Sequence, residues 1–182
     1  VVTQSPKPTG REKRMTYSPV DQWAFEKRIP KTFSLDDVPE ADLGICAAYG
    51  KIIPESVINK FKYGILNIHP SLLPKNRGAS PVSAAIAAGE TQTGLTVIMM
   101  DKKMDHGPII SQFREQVQVQ DTTETLRKRL FERSAQFLID LIPNYLSGKV
   151  KPKEQDHKKA TFTKILTKED GFIDLTISHS PL

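Results

Sequence analysis

The chain has 182 residues, 38% of them apolar and 26% charged, a composition typical of one globular domain. Its net charge of +5 favours an anionic partner, such as a nucleic acid or a phosphate group. Its single cysteine, Cys46, excludes an internal disulfide and predicts a reducing compartment, and no apolar run approaches the roughly 20 residues of a membrane span.

The amino-terminal segment is basic and is interrupted by proline and glycine. Residues 1–3 predict the end of a strand, so we expect the first strand of the fold to begin upstream of Val1. In the following residues, 4–15, two prolines and a glycine disfavour regular structure. We therefore predict an exposed basic loop, which either stays solvated or contacts a phosphate backbone.

The next elements alternate between helix and strand. Ser18, followed by proline, predicts the start of a helix that ends near Lys27. The continuous apolar run 43–48 predicts a strand buried on both faces, as in a parallel sheet. A short helix over 54–60 then leads to a strand that begins at residue 65, which together predict a parallel βαβ unit.

The second half of the chain predicts a hairpin and a long helix. A helix over 81–88 is followed by strands over 94–100 and 109–119, which we expect to pair antiparallel across a polar turn. Residues 121–124 predict a capping box at the start of the longest helix. A last short strand is predicted over 161–166. The long helix should bury one apolar stripe, formed by Leu126, Leu130, Phe137, Leu138, Leu141 and Tyr145.

Three side chains at the ends of these strands could act together. Asn67 and His69 lie two apart where a strand becomes a loop, so they point to the same face, and Asp105 lies in the hairpin turn. An amide can donate to an oxyanion, a histidine can exchange protons, and a carboxylate can orient it. With no serine or cysteine elbow in the sequence, these groups suit acyl transfer by direct attack of a substrate amine. Each residue alone is equally consistent with a structural turn.

Other cofactor chemistry has no support in the sequence. His106, His157 and His179 lack partners at metal-ligand spacing, so we predict no metal site. A glycine-rich phosphate loop is also missing, so a nucleotide cofactor is not expected.

The segment Asn-Ile-His-Pro-Ser-Leu-Leu-Pro at 67–74, continued by Arg-Gly at 77–78, resembles the formyltransferases that use 10-formyltetrahydrofolate. The resemblance continues at 94–97 and at 104–108. It implies an α/β, Rossmann-like catalytic domain, with a mostly parallel sheet, helices on both faces and an antiparallel hairpin. It also implies that Asn67, His69 and Asp105 are catalytic.

The same resemblance implies the binding partners. The folate donor, 10-formyltetrahydrofolate, would contact Tyr49, Gly50, Ile52, Ser71, Leu72, Leu73 and Pro74. The basic segment resembles that of the family branch that acts on initiator methionyl-tRNA, which Lys7, Arg11, Lys13 and Arg14 would bind. We expect a monomer without membrane contact, in the mitochondrial matrix or, alternatively, in the bacterial cytoplasm or a plastid.

The resemblance also predicts the organisation of the chain. Residues 1–166 would form the catalytic domain without its first strand, and 167–182 a linker towards a carboxyl-terminal domain. His106 departs from the family, in which a smaller residue follows the aspartate. Three alternatives stay open. They are a sibling enzyme that formylates a small amine, a hydrolase that releases formate, and an inactive remnant that binds folate or RNA.

Overall fold

A computed structural model describes residues 1–167 and 169–172 of the chain. Most of the predicted linker 167–182 therefore lies outside the described residues, as does His179. Two 3₁₀ turns, His157–Lys159 and Glu169–Gly171, accompany the helices and strands. The strands and helices are β1 (Lys7–Thr9), β2 (Arg14–Thr16), α1 (Pro19–Glu26), β3 (Gly44–Ala47), α2 (Glu55–Ile58), β4 (Ile65–His69), β5 (Arg77–Gly78), α3 (Pro81–Ala87), β6 (Gln92–Met99), β7 (Ile109–Gln116), α4 (Thr123–Leu146) and β8 (Phe162–Thr163).

The central sheet has the strand order β3-β4-β6-β7. Strands β3 and β4 are parallel and are joined through α2, which confirms the predicted βαβ unit. Strand β6 pairs antiparallel with both β4 and β7, which confirms the predicted hairpin. The α/β fold is therefore as expected, but this sheet is mixed, whereas the family resemblance implied a mostly parallel one. In the part of the chain that the structure describes, its parallel pairing is between β3 and β4.

One face of this sheet forms the main core with α3 and α4. Successive side chains of a strand point to opposite faces of the sheet, so Leu66 and Ile68 of β4 lie on the same face as Leu95 and Val97 of β6. The predicted stripe of α4 packs against them. The core residues from the helices are Val82, Leu126, Leu130, Leu138 and Leu141, with Phe137 and Tyr145 partly buried beside them. The opposite face carries Asn67 and His69 together with the buried residues Ile65 and Ile98.

Two strand predictions were wrong in detail. Within the described residues, β3 is the outermost strand of the sheet, and the run 43–48 is not buried on both faces, since Ile45 is 46% exposed. The predicted strand 109–119 ends at Gln116, and Val119 is exposed beyond it. An apolar sequence run does not reveal whether a strand is central or peripheral, since that depends on its neighbours in the sheet.

The basic amino-terminal segment is a β-hairpin rather than the predicted irregular loop. Strands β1 and β2 pair antiparallel, with Pro8 opposite Met15. A two-stranded ribbon tolerates proline because both of its strands are edges, where a missing N–H can face solvent. Gly10, at φ +72°, lies in the turn that reverses the chain. Residues 1–3 contribute one parallel bridge, from Val2 to Thr32, and not a strand.

The helix caps follow the sequence closely. Ser18 caps α1 by accepting a hydrogen bond from the backbone N–H of Asp21, as predicted. The capping box of α4 is formed by Thr122 and Thr125, one residue later than the predicted pattern. Within the described residues, no helix combines the length and apolar character that crossing a membrane would require.

Candidate active site

The structure brings together the three residues that the sequence singled out. Asn67 and His69 project from β4, and Asp105 projects from the turn between β6 and β7. The Asn67 amide donates to Asp105 Oδ1 at 3.4 Å, and His69 Nδ1 lies 3.5 Å from the same oxygen. The side chains of His69 and Asp105 are 5% and 11% exposed. An amide, an imidazole and a carboxylate therefore share one nearly buried position at the end of β4.

Asp105 is held in an unusual backbone conformation. Its φ angle is +49°, a left-handed value that a side chain with a Cβ adopts at a cost. Its second carboxylate oxygen accepts a hydrogen bond of 2.7 Å from the backbone N–H of Gly78. A Cβ on Gly78 would lie 2.5 Å from the carbonyl oxygen of Thr163, so glycine is required there. The carboxylate is thus fixed from two sides.

His69 is placed between two acceptors. Its Nε2 lies 2.9 Å from the carbonyl oxygen of Asn76, and its Nδ1 faces the Asp105 carboxylate. A carbonyl oxygen can only accept, so Nε2 is the protonated nitrogen in this orientation. Nδ1 is then the position that can gain or release a proton beside Asp105. The geometry suits a histidine that moves a proton during a reaction.

A group of polar side chains fixes the loop after β4 against the sheet. The Thr96 hydroxyl donates to the carbonyl of Ser71 at 2.6 Å and accepts from the N–H of Leu73 at 3.1 Å. Gln112 donates both to Thr96 Oγ1 and to the carbonyl of Leu73. Thr96 and Gln112 occupy the same row of the sheet as His69. Neither Thr96 nor Gln112 was predicted as a residue of the site, although their register opposite His69 places them there.

The predicted folate residues of this loop are of two kinds. Ser71 and Leu73 are buried, and the Ser71 hydroxyl donates to the carbonyl of Lys75 at 2.7 Å, so both support the loop from inside. Leu72 and Pro74 are partly exposed, and the Leu73–Pro74 peptide is cis. Only the second pair presents surface to a ligand in this conformation.

The other predicted folate residues form the turn after β3. The carbonyl of Tyr49 accepts from the Gln4 side chain at 2.5 Å, and Gly50 has a φ of +72°. Ile52 is 79% exposed, whereas the Tyr49 hydroxyl is buried without a hydrogen-bond partner among the described residues. Cys46 pairs with Asn67 across β3 and β4, and burial raises the pKa of its thiol, with a smaller contribution from the Asp105 charge. This turn therefore borders the site.

A polar cluster lies behind the Asp105 turn, in which Arg77 and Gln155 are buried whereas His157 is exposed. The rings of His106 and His157 stack with centroids 4.0 Å apart, and His106 pairs with Asp101 at 2.6 Å. Arg77 donates to His157 Nδ1 and to the side chain of Gln155. The two histidines thus meet in space, which their sequence spacing did not predict. No group of three or more metal-binding side chains occurs in the part of the chain that the structure describes.

The turn that carries Asp105 also borders an open cavity of about 350 Å³. Its walls come from α2 and from the residues just after β6. The lining residues are Glu55, Ile58, Asn59, Met100, Asp101, Lys102, Lys103 and His106. A space of this size and polarity can hold part of a small molecule, but none of the three converging side chains lines it, and His106 is its nearest link in the chain to Asp105.

The four predicted tRNA-binding residues are exposed on the β1–β2 hairpin. Lys7 contacts the Gln4 side chain, and Arg14 pairs with Glu12 at 2.8 Å while both remain largely in solvent. Arg11 and Lys13 lie in the turn itself. Gln4 connects this hairpin to the turn of Tyr49, so the basic surface adjoins the border of the candidate active site.

Comparisons with known proteins identify the family and the fold of the chain. Residues 1–142 match the family described as formyl transferase. Methionyl-tRNA formyltransferase of Chloroflexus aggregans is 42% identical and that of Listeria monocytogenes 39%, each aligned over 97% of this chain. The chain spans 60% of the length of both relatives. An N-formyltransferase from Helicobacter canadensis, solved with folinic acid and dTDP-3-aminofucose, has the same fold, with a TM-score of 0.70 and 20% identity over 91% of this chain and 60% of that one.

Proposed function

The chain belongs to the formyl transferase family, and from this premise we propose that it transfers the formyl group of 10-formyltetrahydrofolate to the amino group of initiator methionyl-tRNA. The observation that carries the proposal is the convergence of Asn67, His69 and Asp105 on one nearly buried position. An amide donor, a proton-transferring imidazole and a carboxylate are what amine attack on a formyl carbon requires.

In the proposed reaction the methionyl nitrogen attacks the formyl carbon directly. Asn67 donates to the formyl oxygen as negative charge develops there, which is the role of an oxyanion-hole donor. Asp105 accepts the proton that the amine loses, directly or through water, and passes it to His69 Nδ1, 3.5 Å away. His69 stabilises the tetrahedral intermediate and passes this proton to the folate nitrogen as the carbon–nitrogen bond breaks, which returns both residues to their starting state. The products are formyl-methionyl-tRNA and tetrahydrofolate.

The folate donor would bind between the loop after β4 and the turn after β3. Leu72 and Pro74 offer exposed apolar surface on one side, and Gly50 and Ile52 on the other. Tyr49, Ser71 and Leu73 would shape these two segments from below. The adjoining cavity beside the Asp105 turn could take a further part of the donor. The predicted folate residues are thus of two kinds, four that would contact the donor and three that would support those four.

The hairpin supports the choice of acceptor. Lys7, Arg11, Lys13 and Arg14 place exposed positive charge beside the turn of Tyr49. Cations in this position would displace counterions from the phosphates of an acceptor stem whose aminoacyl end enters the site. The names of the two curated relatives, at about 40% identity, favour the same acceptor.

Domain organisation and compartment follow as proposals. Residues 1–166 would act as the catalytic domain, and 167–182 would lead to a further domain, since the relatives are longer. The protein would work as a monomer where formylated initiator tRNA is used. The bacterial relatives favour the bacterial cytoplasm over the mitochondrial matrix that the sequence analysis put first.

The test compares acceptors in the full-length protein. Purified protein is given 10-formyltetrahydrofolate with initiator methionyl-tRNA, with a mixture of amino sugars, or with no amine. Formylation of the tRNA alone supports the proposal. Formylation of a sugar that survives replacement of the four hairpin cations by alanine would identify a sibling enzyme, and formate release without an amine would identify a hydrolase.

A further inference from the structure

We infer that Gln155 is a positioning residue for Asp105, holding its backbone in the conformation that formyl transfer needs; the inference rests on the function proposed above. Gln155 lies beyond the residues that match the family and beyond every motif of the sequence analysis. It is 5% exposed, and each hydrogen-bonding group of its side chain is used.

The side-chain amide of Gln155 donates two hydrogen bonds to backbone carbonyls of the turn that carries Asp105. Its Nε2 donates to the carbonyl oxygen of Asp105 at 2.9 Å and to that of Gly107 at 2.7 Å. Asp105 is the residue with the left-handed φ of +49°. A Cβ on Gly107 would lie 1.8 Å from the carbonyl oxygen of Met99, so the turn is packed directly against β6 at this point. The two hydrogen bonds therefore hold both ends of the peptide segment that aims the carboxylate.

The orientation of this amide is fixed by Arg77. The guanidinium is 3% exposed and donates to Gln155 Oε1 through Nε at 3.2 Å and through its second terminal nitrogen at 2.6 Å. A guanidinium has no acceptor, so the oxygen of Gln155 must face it and the nitrogen must face the two carbonyls. His157 Nδ1 accepts from the same guanidinium at 2.9 Å. Gln155 is thus set in one orientation by a buried cation.

Gln155 should affect the reaction through the position of the Asp105 carboxylate. The carboxylate of Asp105 meets Asn67 and His69 at 3.4 and 3.5 Å, distances at which a small shift makes or breaks each contact. A displacement of about 1 Å in a reacting group can cost about a hundredfold in rate. Among the described residues, Gln155 makes no hydrogen bond to Asn67 or His69 and does not line the cavity, so its effect should reach the reaction through Asp105.

The variant Gln155→Glu separates positioning from packing in the full-length protein. It keeps the length of the side chain and an acceptor for Arg77, but it removes the donor to Asp105 and Gly107. We expect kcat for formyl transfer to fall at least tenfold, with the KM values for folate donor and tRNA changed less than threefold (about the scale expected when a positioning hydrogen bond is removed). Gln155→Met, similar in length and uncharged, should behave in the same way if the charged variant fails to fold. Gln120→Glu, the same change on an exposed loop, should leave both parameters unchanged.

A double-mutant cycle with Asp105→Asn gives the decisive readout. If Gln155 acts through Asp105, its replacement should cost nothing further in the Asp105→Asn background, as measured by single-turnover rates. Full kcat in either folded Gln155 variant, or an equal loss in both backgrounds, would overturn the inference. A wild-type protein that formylates no tRNA would overturn the proposed function itself, and this role with it, before any variant is compared.

Discussion

At the scale of single residues, Asn67 has two tasks that one variant can test. Its amide contacts Asp105 and, in the proposed reaction, donates to the formyl oxygen. We predict that Asn67→Ala lowers kcat by about 100- to 1,000-fold, the usual effect of losing an oxyanion donor. Steady-state kinetics with methionyl-tRNA measure this. Asn144→Ala, which removes an exposed amide on α4, is the matched control, and an Asn67→Ala protein with near wild-type kcat would contradict the assigned role.

Thr96 is the residue that ties the loop after β4 to the sheet. Thr96→Val keeps the shape but leaves the carbonyl of Ser71 and the N–H of Leu73 without their buried partner. We predict a loss of about 2 kcal/mol in the free energy of unfolding, from unsatisfied buried groups. We also predict a raised KM for the folate donor because the loop would shift. Denaturant unfolding and kinetics measure the two effects.

The control for this prediction lies on the same strand. Thr93 is also buried in β6, but it lies on the opposite face of the strand from Thr96, and among the described residues its hydroxyl makes no hydrogen bond to the loop. Thr93→Val should therefore leave the KM for the donor unchanged. If both variants raise that KM equally, the loop contacts of Thr96 are not the cause.

The three converging residues of the candidate site could be predicted from the sequence, whereas the residues that support them could not. Asn67 and His69 are visible because two residues on a strand share a face, and Asp105 because it belongs to a recognisable motif. Gln112 and Gln155 contact residues 39 and 50 positions away in the chain, so no local pattern links them to the site. Ser71 also belongs to the recognised motif, but its hydroxyl donates to the carbonyl of Lys75 within the loop.

At the scale of elements, the basic hairpin makes a prediction about salt. Replacing Arg11, Lys13 and Arg14 by alanine should weaken tRNA binding and flatten the slope of log affinity against log salt by about one unit for each phosphate that is no longer neutralised. Binding titrations at several salt concentrations measure this. The matched control replaces three exposed cations elsewhere, Arg127, Lys149 and Lys151. Equal slopes for both triple variants would exclude the hairpin as the tRNA-binding surface.

An ion pair between Asp121 and Arg129, called the clamp below, lies at the start of α4, and its contribution to stability should depend on pH. Arg129 donates to both carboxylate oxygens of Asp121, at 2.9 and 2.5 Å, and holds the pKa of this buried carboxyl well below its usual range. A carboxyl with a lowered folded pKa stabilises the protein above its unfolded pKa of about 3.9, and this contribution is lost as the pH falls below that value. The clamp should therefore weaken in acid.

The variant Asp121→Asn tests the clamp. It should lower the free energy of unfolding by about 2 kcal/mol at neutral pH, the scale of a buried charge-assisted hydrogen bond. The difference from the wild type should shrink at about pH 3, where the unfolded carboxyl is mostly protonated. Urea unfolding at the two pH values measures this. A difference that does not change with pH would show that the carboxylate charge is not what stabilises the start of α4.

The elements also show where local sequence signals fail. The caps and the stripe of α4 were predictable because both depend on residues three or four positions apart. The hairpin of residues 7–16 could not be predicted in this way, because its prolines and glycine indicated an irregular loop more strongly than its other residues indicated strands. The exposure of β3 was also hidden, because it depends on the position of this strand at the edge of the sheet.

At the scale of the whole molecule, the mixed sheet explains how distant residues meet. Strand β6 runs antiparallel to β4, so the end of β6 lies beside the start of β4. The turn that follows β6 brings Asp105 back along the sheet to Asn67 and His69, and β7 then pairs antiparallel with β6. The segment after α4 completes the arrangement, because β8 pairs with β5 and brings Gln155 and His157 behind the Asp105 turn. The hairpin of β6 and β7 was predicted, whereas the antiparallel pairing of β6 with β4 and the pairing of β8 with β5 were not.

The measurement that tests the account most directly follows a labelled formyl group from 10-formyltetrahydrofolate. Full-length wild-type protein and an Asp105→Asn variant of equal stability are each mixed with donor and charged initiator methionyl-tRNA. We predict that the label appears on the methionyl amine with the wild type, and that the variant is at least about a hundredfold slower. Label that stays on folate or leaves as formate with the wild type, or equal transfer by both proteins, would contradict the account.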